Sequence, residues 1–501
     1  AMTAAPIVLP DSGDLSPYVQ RVLPRSSGLF WDGRWQEGAG QAIATFNPST
    51  GERLADVTSA GSAGGGASVA SAKAAFPAWA ESPPLQRAAL LREAARRVRL
   101  HSRELALLDA ANCGNPVRAM QMDAEIAATQ LDYFAGLVLE IKGETIPTAN
   151  GALNYTLREP LGPVARIFPF NHPFMFAAGK IAAPLAAGNT VILKPPEQAP
   201  LSTIRLMEIL DGLFPPGVLN CIAGGRDTGA ALSVHPDVQA VALIGSVGAG
   251  KAVLRSAAET MKRTLLELGG KNAMVIYPDA DLRSAVEGAV RGMNFTWCGQ
   301  SCGSTSRLYV HRSLHDEFMQ RVTQELARKH RPGIATHLDT TMGAMASRAQ
   351  YDRTLHYIQA GIDEGATLLT GGRTARDAQL KDGLFIEPTI FTGVRPDMRI
   401  SREEIFGPVL SVFSWDDEDR MLAEVNGTEL GLTASVWTTS LNTGLRAAKR
   451  IQSGYVWVNE CSVHIPGAPF GGYKQSGVGR EECKEELLVF TQLKNVNVKL
   501  G

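Results

Sequence analysis

Cys302, in the stretch Cys298-Gly299-Gln300-Ser301-Cys302-Gly303, is the residue of this sequence best placed to do covalent chemistry. The stretch follows an apolar segment predicted to be helical and precedes a strand-like segment at residues 308–310. A cysteine among small residues at a helix end leaves room for a carbonyl carbon beside its sulfur, and nearby backbone N–H groups can bind an oxyanion. Cys302 is therefore the candidate nucleophile. Most free cysteines are simply small buried apolar residues, so other parts of the chain must support this assignment.

A glycine-rich turn forms a second candidate site. Gly245-Ser246-Val247-Gly248-Ala249-Gly250 follows the apolar residues 240–244 and precedes a predicted helix at residues 251–262. A turn of this kind between a strand and a helix directs backbone N–H groups and the helix dipole at a phosphate. The spacing differs from GxGxxG, and tight packing of the helix on the strand would explain the same glycines.

The elements that must position these residues alternate between strands and helices. From residue 162 onward, apolar runs alternate with helical segments in two comparable halves, which predicts parallel α/β architecture. Before that, single helices are predicted at residues 84–111 and 119–139, and residues 1–28 are expected to form a loosely packed arm. The tail at residues 494–498 alternates apolar and polar side chains, which favours a strand added to another sheet.

Composition excludes several classes of protein. A chain of 501 residues with a formal net charge of -1 has two or more domains and lacks the basic surface of a nucleic-acid binder. Its six cysteines are scattered and include no CxxC pair, so we expect no disulfide framework and no metal. Because neither a long apolar run nor a signal-peptide pattern occurs, we expect no membrane span and a cytoplasmic location.

Six motifs in fixed order carry a resemblance to a known family. They are Phe168-Pro169-Phe170-Asn171, Leu193-Lys194-Pro195-Pro196-Glu197, Leu266-Glu267-Leu268-Gly269-Gly270-Lys271-Asn272, Gly299-Gln300-Ser301-Cys302, Glu403-Glu404-Ile405-Phe406-Gly407-Pro408 and Pro469-Phe470-Gly471-Gly472-Tyr473-Lys474-Gln475-Ser476-Gly477. From about Trp31 to its end, the chain resembles the NAD(P)-dependent aldehyde dehydrogenase superfamily.

The resemblance implies a reaction and three catalytic residues. Cys302 would add to an aldehyde, and the thiohemiacetal would lose hydride to nicotinamide and leave a thioester that water hydrolyses. Asn171 would bind the oxyanion together with the Cys302 N–H, although an asparagine here could also cap the next helix. Glu267 would be the general base, or else an ordinary carboxylate at a strand end. Its presence favours release of the free acid over transfer to coenzyme A.

The resemblance also implies cofactor contacts. Lys194 and Glu197 match positions that bind the adenosine ribose, and a carboxylate there repels a 2′-phosphate, which favours NAD while leaving NADP possible. Gly245, Ser246 and Gly250 match the phosphate turn. On the nicotinamide side, the corresponding residues are Glu404 at the ribose and Phe406 beside the ring. Taken alone, Glu404 would be a solvated charge and Phe406 a core residue.

The substrate is less determined. Positions near the substrate tunnel of the family are aromatic or small and include no arginine, which favours an apolar or aromatic aldehyde, with an aliphatic or amino aldehyde as the alternative. His172 and His464 could bind a ring hydroxyl or fill space, and space filling is the preferred interpretation. Gly179 is expected to widen the tunnel. The other tunnel positions are Met175, Phe176, Trp297, Ser301 and Val463.

The resemblance further predicts the domain organisation. A Rossmann-like NAD-binding domain would comprise residues 1–140 and 161–267, and an α/β catalytic domain residues 268–484. A small β bridging element, residues 141–160 and 485–501, would join subunits into a homodimer or homotetramer. A cysteine hydrolase would leave Lys194, Glu197 and the glycine turn without a ligand, and a silent dinucleotide-binding protein would have no use for Cys302, Asn171 and Glu267 together.

Overall fold

The structure, a computed structural model, describes residues 5–37 and 40–501. Its largest sheet has eight strands, five of which are parallel neighbours. In spatial order the strands are Arg34–Trp35, Leu29–Trp31, Leu219–Ile222, Thr190–Lys194, Pro163–Ile167, Ala240–Ile244, Arg263–Glu267 and Gly477–Val478.

The order of the five parallel strands reverses once. The chain moves outward from Pro163–Ile167 through Thr190–Lys194 to Leu219–Ile222, and then continues on the other side of Pro163–Ile167 with Ala240–Ile244. Helices before and after the reversal cover opposite faces, which leaves a crevice at the carboxyl ends of the strands, where α/β proteins bind their ligands.

A second sheet of seven strands is also mainly parallel, with one antiparallel edge pair. Its order is Thr367–Thr370, Thr389–Thr392, Val409–Trp415, Arg307–His311, Ala273–Ile276, Thr433–Trp437 and Tyr455–Val458. The inner strands are buried along nearly their whole length because both faces are covered, as expected for parallel sheets. The predicted α/β fold class, with its two halves, is confirmed.

Three smaller sheets complete the β structure of the described residues. In one, the long strands Ala152–Pro160 and Thr491–Lys499 pair antiparallel, and Thr145–Ile146 pairs on the other side of Ala152–Pro160. We call this three-stranded sheet the arm. The other two pair Ala42–Phe46 with Arg53–Thr58 and Leu430–Gly431 with Tyr473–Lys474.

The helices pack on the two large sheets and on each other. Those up to residue 267 are Val19–Val22, Gly65–Ala80, Pro84–Leu100, Ser102–Cys113, Val117–Ala135, Pro173–Gly179, Ala182–Ala186, Leu201–Ile209, Arg226–Val234 and Val247–Ala258. Those after residue 267 are Leu282–Gly292, His315–Lys329, Arg348–Asp363, Arg399–Arg402, Glu418–Val425, Leu441–Arg450 and Lys484–Val489. Among the described residues, no helix is long and apolar enough to cross a membrane.

Two of the sequence predictions for residues 1–111 are wrong. The single helix predicted at residues 84–111 is two helices that meet at His101, which is buried and lies 3.2 Å from a carboxylate oxygen of Glu104. The N-terminal segment, residues 1–28, is not loosely packed over its described part. Leu15 and Val22 are fully buried, and the Leu15 N–H donates to the Thr336 carbonyl. Residues 1–4 of that prediction lie outside the described residues.

Candidate active site

The ends of the parallel strands bring the predicted site residues to one edge of the large sheet. Lys194 is the last residue of its strand, Glu267 is the last residue of another, and Gly245 directly follows a third. Asn171 comes four residues after the central strand Pro163–Ile167. Because neighbouring parallel strands end at the same edge, residues far apart in sequence become neighbours here.

One cavity of about 390 Å³ collects the three predicted catalytic residues. Cys302, Asn171 and Glu267 all line it. Asn171 and Glu267 come from the large sheet, whereas Cys302 comes from the loop that precedes Arg307–His311 in the second sheet. The cavity therefore lies between the two halves of the protein.

The loop that carries Cys302 is shaped by an early helix end. The apolar segment before this loop, predicted to be helical, is α-helical only as far as Gly292, because Asn294 adopts a positive φ angle of 56°. Cys298 also has a positive φ, of 58°. Gly299, at φ +65°, lies so close to the Gly407 carbonyl that a Cβ would be 2.2 Å from its oxygen. Asn272 then donates its side-chain amide to the Cys302 carbonyl at 2.7 Å. These contacts fix the backbone under the thiol.

Cys302 is the half-buried cysteine of the six, which are all free, and the other five are buried. Burial raises the pKa of its thiol, and the nearby carboxylates Glu267 and Glu404 raise it further. Its own backbone N–H acts in the opposite direction. Without substrate and cofactor, the sulfur is therefore held as a neutral thiol, and a base must remove its proton before attack.

Asn171 has its side chain free to act on a ligand. Its backbone carbonyl accepts a hydrogen bond from Asn115 at 2.7 Å, which anchors the residue. The helix Pro173–Gly179 has His172 at its N-cap and no side-chain cap, so Asn171 does not cap it. The Asn171 Oδ1 is buried without a partner among the described residues. The Nδ2 group, which is the donor that an oxyanion needs, makes no hydrogen bond to the described residues and can donate to a ligand in the cavity that Asn171 shares with the thiol.

Glu267 is buried to 2% exposure, and neither carboxylate oxygen has a hydrogen-bond partner among the described residues. Burial raises its pKa well above the ordinary value, and the negative charge of Glu481 raises it further. Gly471 lies against it, since a Cβ there would be 2.9 Å from Glu267 Oε1. A buried, unpaired carboxyl with a raised pKa is typical of a catalytic acid or base.

Behind Glu267 lies a group of paired charges. Lys180 Nζ is 2.8 Å from Glu481 Oε2, and Arg166 donates to Glu481 Oε1 at 2.9 Å. Burial alone would raise the pKa of Glu481, but Lys180 and Arg166 lower it below its ordinary value. Glu481 therefore stays ionised, and its charge disfavours ionisation of Glu267.

Lys194 and Glu197 lie at the opposite side of the same sheet edge. Lys194 is 7% exposed and forms no ion pair within the described part of the chain. Burial lowers its pKa to about 8, although Glu197 and Asp227 act in the other direction. Glu197 is exposed and reaches over Gly225, where a Cβ would lie 2.8 Å from its Oε2. A polar ligand that binds both residues would compensate the buried ammonium.

The glycine turn combines a helix cap, a packing glycine and an open helix N-terminus. Ser246 caps the helix Val247–Ala258, and its Oγ accepts from the Ala249 N–H at 3.1 Å. Gly250 is a packing glycine, because a Cβ there would be 2.5 Å from Leu268 Cδ1. Gly245 and Gly248 have no atom within 3.4 Å of a Cβ position, so the helix N-terminus stays open for a phosphate.

Glu404 and Phe406 approach from the second sheet. Glu404 accepts the Gly270 N–H at 2.6 Å, and burial raises its pKa to about 7. It is therefore not the solvated charge that the sequence alone suggests. Phe406 has a positive φ of 59° and packs edge-on against Phe170, with ring centroids 5.9 Å apart.

The residues that line the cavity differ at two positions from those predicted for the substrate tunnel. His172, Met175, Phe176, Trp297, Ser301 and His464 line the cavity as expected. Val463 instead accepts the Trp457 indole N–H through its carbonyl. Gly179 does not widen the cavity, because the Gln130 side chain fills the space above it, 2.2 Å from where a Cβ would be.

Sequence reasoning missed the helix Val117–Ala135 as a wall of this cavity. It contributes Asp123, Glu125, Ile126, Thr129, Gln130, Tyr133 and Phe134. One signal could have found it, namely Asp123, a carboxylate on the otherwise apolar buried side of this helix.

Comparisons with known proteins agree with this site. The sequence profile described as the aldehyde dehydrogenase family matches residues 35–496. Aldehyde dehydrogenase tropH of Talaromyces stipitatus is 48% identical over 492 residues, which cover 97% of this chain and 96% of that protein. The NAD+ complex of aldehyde dehydrogenase from Bacillus cereus superposes with a TM-score of 0.93 at 37% identity, covering 98% of this chain and 100% of that one.

A third relative is also a solved structure. The indole-3-acetaldehyde dehydrogenase AldA of P. syringae, a mutant in complex with NAD+ and IAA, superposes with a TM-score of 0.93 at 35% identity. The match covers 97% of this chain and 100% of that one. The predicted resemblance is thereby confirmed, and the chain belongs to the aldehyde dehydrogenase family.

Proposed function

We propose that this protein oxidises an aldehyde to the free carboxylic acid with NAD, through a covalent intermediate on Cys302. The observation that carries the proposal is the meeting of Cys302, Asn171 and Glu267 on one cavity. A nucleophile, a free amide donor and a buried carboxyl with a raised pKa are the groups that acyl chemistry on an aldehyde requires.

Each residue has a role in the sequence of steps. Cys302 Sγ attacks the carbonyl carbon, and its proton passes to Glu267, directly or through a water. The oxygen, which becomes negative, is held by the Asn171 amide and the Cys302 N–H. NAD, held by the residues at the sheet edge, would supply the acceptor for the hydride that leaves the carbon bound to Cys302 Sγ, and this loss would leave a thioester. Glu267 passes the thiol proton on to solvent, then takes a proton from the water that attacks the thioester and returns it to the departing Cys302 sulfur, which yields the free acid and the thiol.

The residues at the sheet edge fit a dinucleotide. Lys194 is a buried ammonium without an ion pair in the described structure, and ribose hydroxyls would compensate it. The open turn at Gly245 and the capped helix at Ser246 suit the pyrophosphate, while Glu404 and Phe406 would contact the nicotinamide end. Glu197 supports NAD over NADP, because its carboxylate repels a 2′-phosphate. The NAD+ complexes among the related structures agree.

The charges in the cavity favour a neutral, apolar or aromatic aldehyde. Asp123 is paired with His172, Glu481 with Lys180 and Glu482 with His464. Glu125 is paired with Arg99, and burial disfavours the charge of Glu267 while the cavity is empty. The cavity therefore offers no uncompensated anion to an amino aldehyde and no free cation to a carboxylated one. That a related protein is an indole-3-acetaldehyde dehydrogenase is in keeping with an aromatic substrate.

The predicted organisation into an NAD-binding domain, a catalytic domain and a bridging element is part of the proposal. The arm joins the two predicted segments of the bridging element in one sheet, and its exposed leucines suit a contact between subunits. We accordingly propose a homodimer or homotetramer. Six free cysteines favour a reducing compartment such as the cytoplasm.

Replacement of the nucleophile tests the proposal. Cys302→Ala should abolish NADH formation with every aldehyde and leave NAD binding intact, because the cofactor contacts lie elsewhere. Cys461→Ala, which removes a buried thiol outside the cavity, is the matched control and should retain turnover. Steady-state absorbance measures the first property and calorimetric titration the second. Persistent turnover in Cys302→Ala would refute the covalent mechanism.

A further inference from the structure

His172 is a polar residue in the cavity that has no role in the proposed reaction. It directly follows Asn171, is 8% exposed, and lines the same cavity as Cys302. Its Nδ1 lies 2.7 Å from Asp123 Oδ2. Within residues 5–37 and 40–501, the other ring nitrogen, Nε2, has no hydrogen-bond partner.

Packing fixes the orientation of this ring. Trp297 lies edge-on with centroids 4.9 Å apart, and Phe176 lies edge-on at 5.9 Å. Asp123 holds one nitrogen, and the two aromatic rings restrict rotation about the side-chain bonds. A histidine fixed in this way directs its remaining nitrogen at whatever enters the cavity.

A histidine that only fills space would not need a buried carboxylate beside it. Asp123 is 4% exposed, and a second buried carboxyl, Asp109, lies close enough to influence the ring. Burial alone would lower the pKa of His172, but Asp123 raises it above its ordinary value and Asp109 adds to this. Burial raises the pKa of Asp109 to about 7. Burying this imidazole together with its carboxylate costs desolvation free energy. A phenylalanine that only filled the space would avoid that cost.

The charge balance indicates which polar group the ring would bind. His172 and Asp123 together are neutral when the imidazole is protonated, so a carboxylate on the substrate would bring an uncompensated negative charge beside Asp123. A hydroxyl is neutral, and it can accept from the protonated ring or donate to the neutral ring. A hydroxyl therefore matches this site in either protonation state of the histidine.

We propose that His172, positioned by Asp123, selects aldehydes that carry a hydroxyl group on an aromatic ring over unsubstituted aromatic aldehydes. This inference rests on the proposed function and names the substrate class of the same site. It also reverses the sequence-based preference for His172 as a space filler. His464 is less suited to this role, because its ring stacks on Phe470 at 4.5 Å and it is more exposed.

The test compares benzaldehyde with 2-, 3- and 4-hydroxybenzaldehyde as substrates with NAD. For the native enzyme, we expect kcat/KM for at least one hydroxylated isomer to exceed that for benzaldehyde by about tenfold, the value of one good hydrogen bond in a buried site. His172→Phe keeps an aromatic ring against Trp297 and Phe176 but cannot bind a hydroxyl. It should lower the ratio of kcat/KM for that isomer to kcat/KM for benzaldehyde to about one.

A second pair of variants separates the loss of the hydroxyl contact from a loss of stability. His172→Phe leaves Asp123 as an unpaired buried carboxylate, so the same comparison is made between Asp123→Asn and the double variant with His172→Phe, where that charge is absent. His464→Phe is the matched cavity control and should retain the preference. The thermal midpoint of each variant is measured alongside.

The outcomes separate the two proposals. Oxidation of benzaldehyde without preference for any hydroxylated isomer would overturn this inference and leave the proposed function intact. A preference that survives His172→Phe in both backgrounds would also overturn it. Absence of NADH formation with every aldehyde would overturn the proposed function and this inference with it.

Discussion

At the scale of single residues, Glu267 combines the catalytic role proposed for it with a cost in stability. Its carboxyl is buried, has no hydrogen-bond partner among the described residues, and lies within the field of Glu481. Such a group is costly to ionise in the folded protein, yet deacylation requires the ionised form. Buried groups that lower stability in this way occur at functional sites, where activity requires them.

Glu267→Gln should slow the enzyme and stabilise it. The amide cannot take a proton from water, so steady-state turnover should fall by about a hundredfold. The first turnover of NADH should slow as well, because the amide cannot take the Cys302 proton either. Stopped-flow absorbance measures both, and an unchanged steady-state rate would remove Glu267 from deacylation.

The stability gain should depend on pH in a defined direction. Because the folded pKa of Glu267 is raised, the stability contributed by its protonated form is complete below the unfolded value of 4.5 and is lost as the pH rises towards the folded value. Glutamine stays neutral throughout. The difference in thermal midpoint between variant and native protein should therefore widen as the pH rises above about 4.5, and a constant difference would contradict the raised pKa.

Glu197→Gln should change the choice of cofactor. Removing the carboxylate removes its repulsion of a 2′-phosphate, so the ratio of kcat/KM for NADP to that for NAD should rise by about three- to tenfold. The exposed Glu144, on the edge of the arm, offers a matched control, since Glu144→Gln removes the same charge away from the sheet edge. An unaltered ratio in Glu197→Gln would refute the electrostatic argument for NAD.

At the scale of elements, the contact of the helix Val247–Ala258 with the residue after Glu267 depends on one glycine. Gly250→Ala would place a Cβ 2.5 Å from Leu268 Cδ1, so Leu268 must change rotamer beside the catalytic carboxyl. We expect a loss of about 1–3 kcal/mol in the free energy of unfolding. Chemical denaturation measures it.

Gly248 provides the control on the same helix. A Cβ there would meet only Ser246 Oγ at 3.9 Å, so Gly248→Ala should stabilise the helix by about 0.5–1 kcal/mol. Equal effects of the two substitutions would mean that Leu268 adapts without cost and that the helix is not held by this contact.

Strand ends explain which site residues could be predicted from the sequence. Asn171, Lys194 and Glu267 each follow an apolar run, and parallel strands that end at one edge bring such residues together. Asp123 and Gln130 could not be predicted in this way, because they lie on a helix whose partners are far away in sequence. The filling of the space above Gly179 by Gln130 likewise depends on packing between two helices, which no local pattern records.

At the scale of the whole molecule, one face of the arm exposes apolar side chains. Leu153 and Leu157 lie on the same side of Ala152–Pro160, and their partners across the sheet are Val498 and Lys494. Both leucines are about two-fifths exposed, at 40% and 44%. An apolar sheet face that projects from a protein marks an interaction surface, here proposed to be with another subunit.

Leu157→Asp should therefore weaken the assembly. A carboxylate on that face would be desolvated on association, so we expect light scattering to show a lower mass at micromolar concentration than for the native protein. Asn495→Asp adds the same charge on the opposite face of the sheet and should leave the mass unchanged. A monomeric native protein, or an unaffected mass in Leu157→Asp, would contradict the proposed role of the arm.

The last part of the chain completes a site whose reactive groups come much earlier. Gly477–Val478 pairs with Leu266 and Glu267, and Glu481 supplies the carboxylate for Arg166 and Lys180. A chain leaves the ribosome from its N-terminus, so Cys302 emerges from the exit tunnel before these partners have been translated. A nascent chain thus carries the thiol without the wall and the counter-ions around it, and the site is complete only once residues 477–481 have emerged as well.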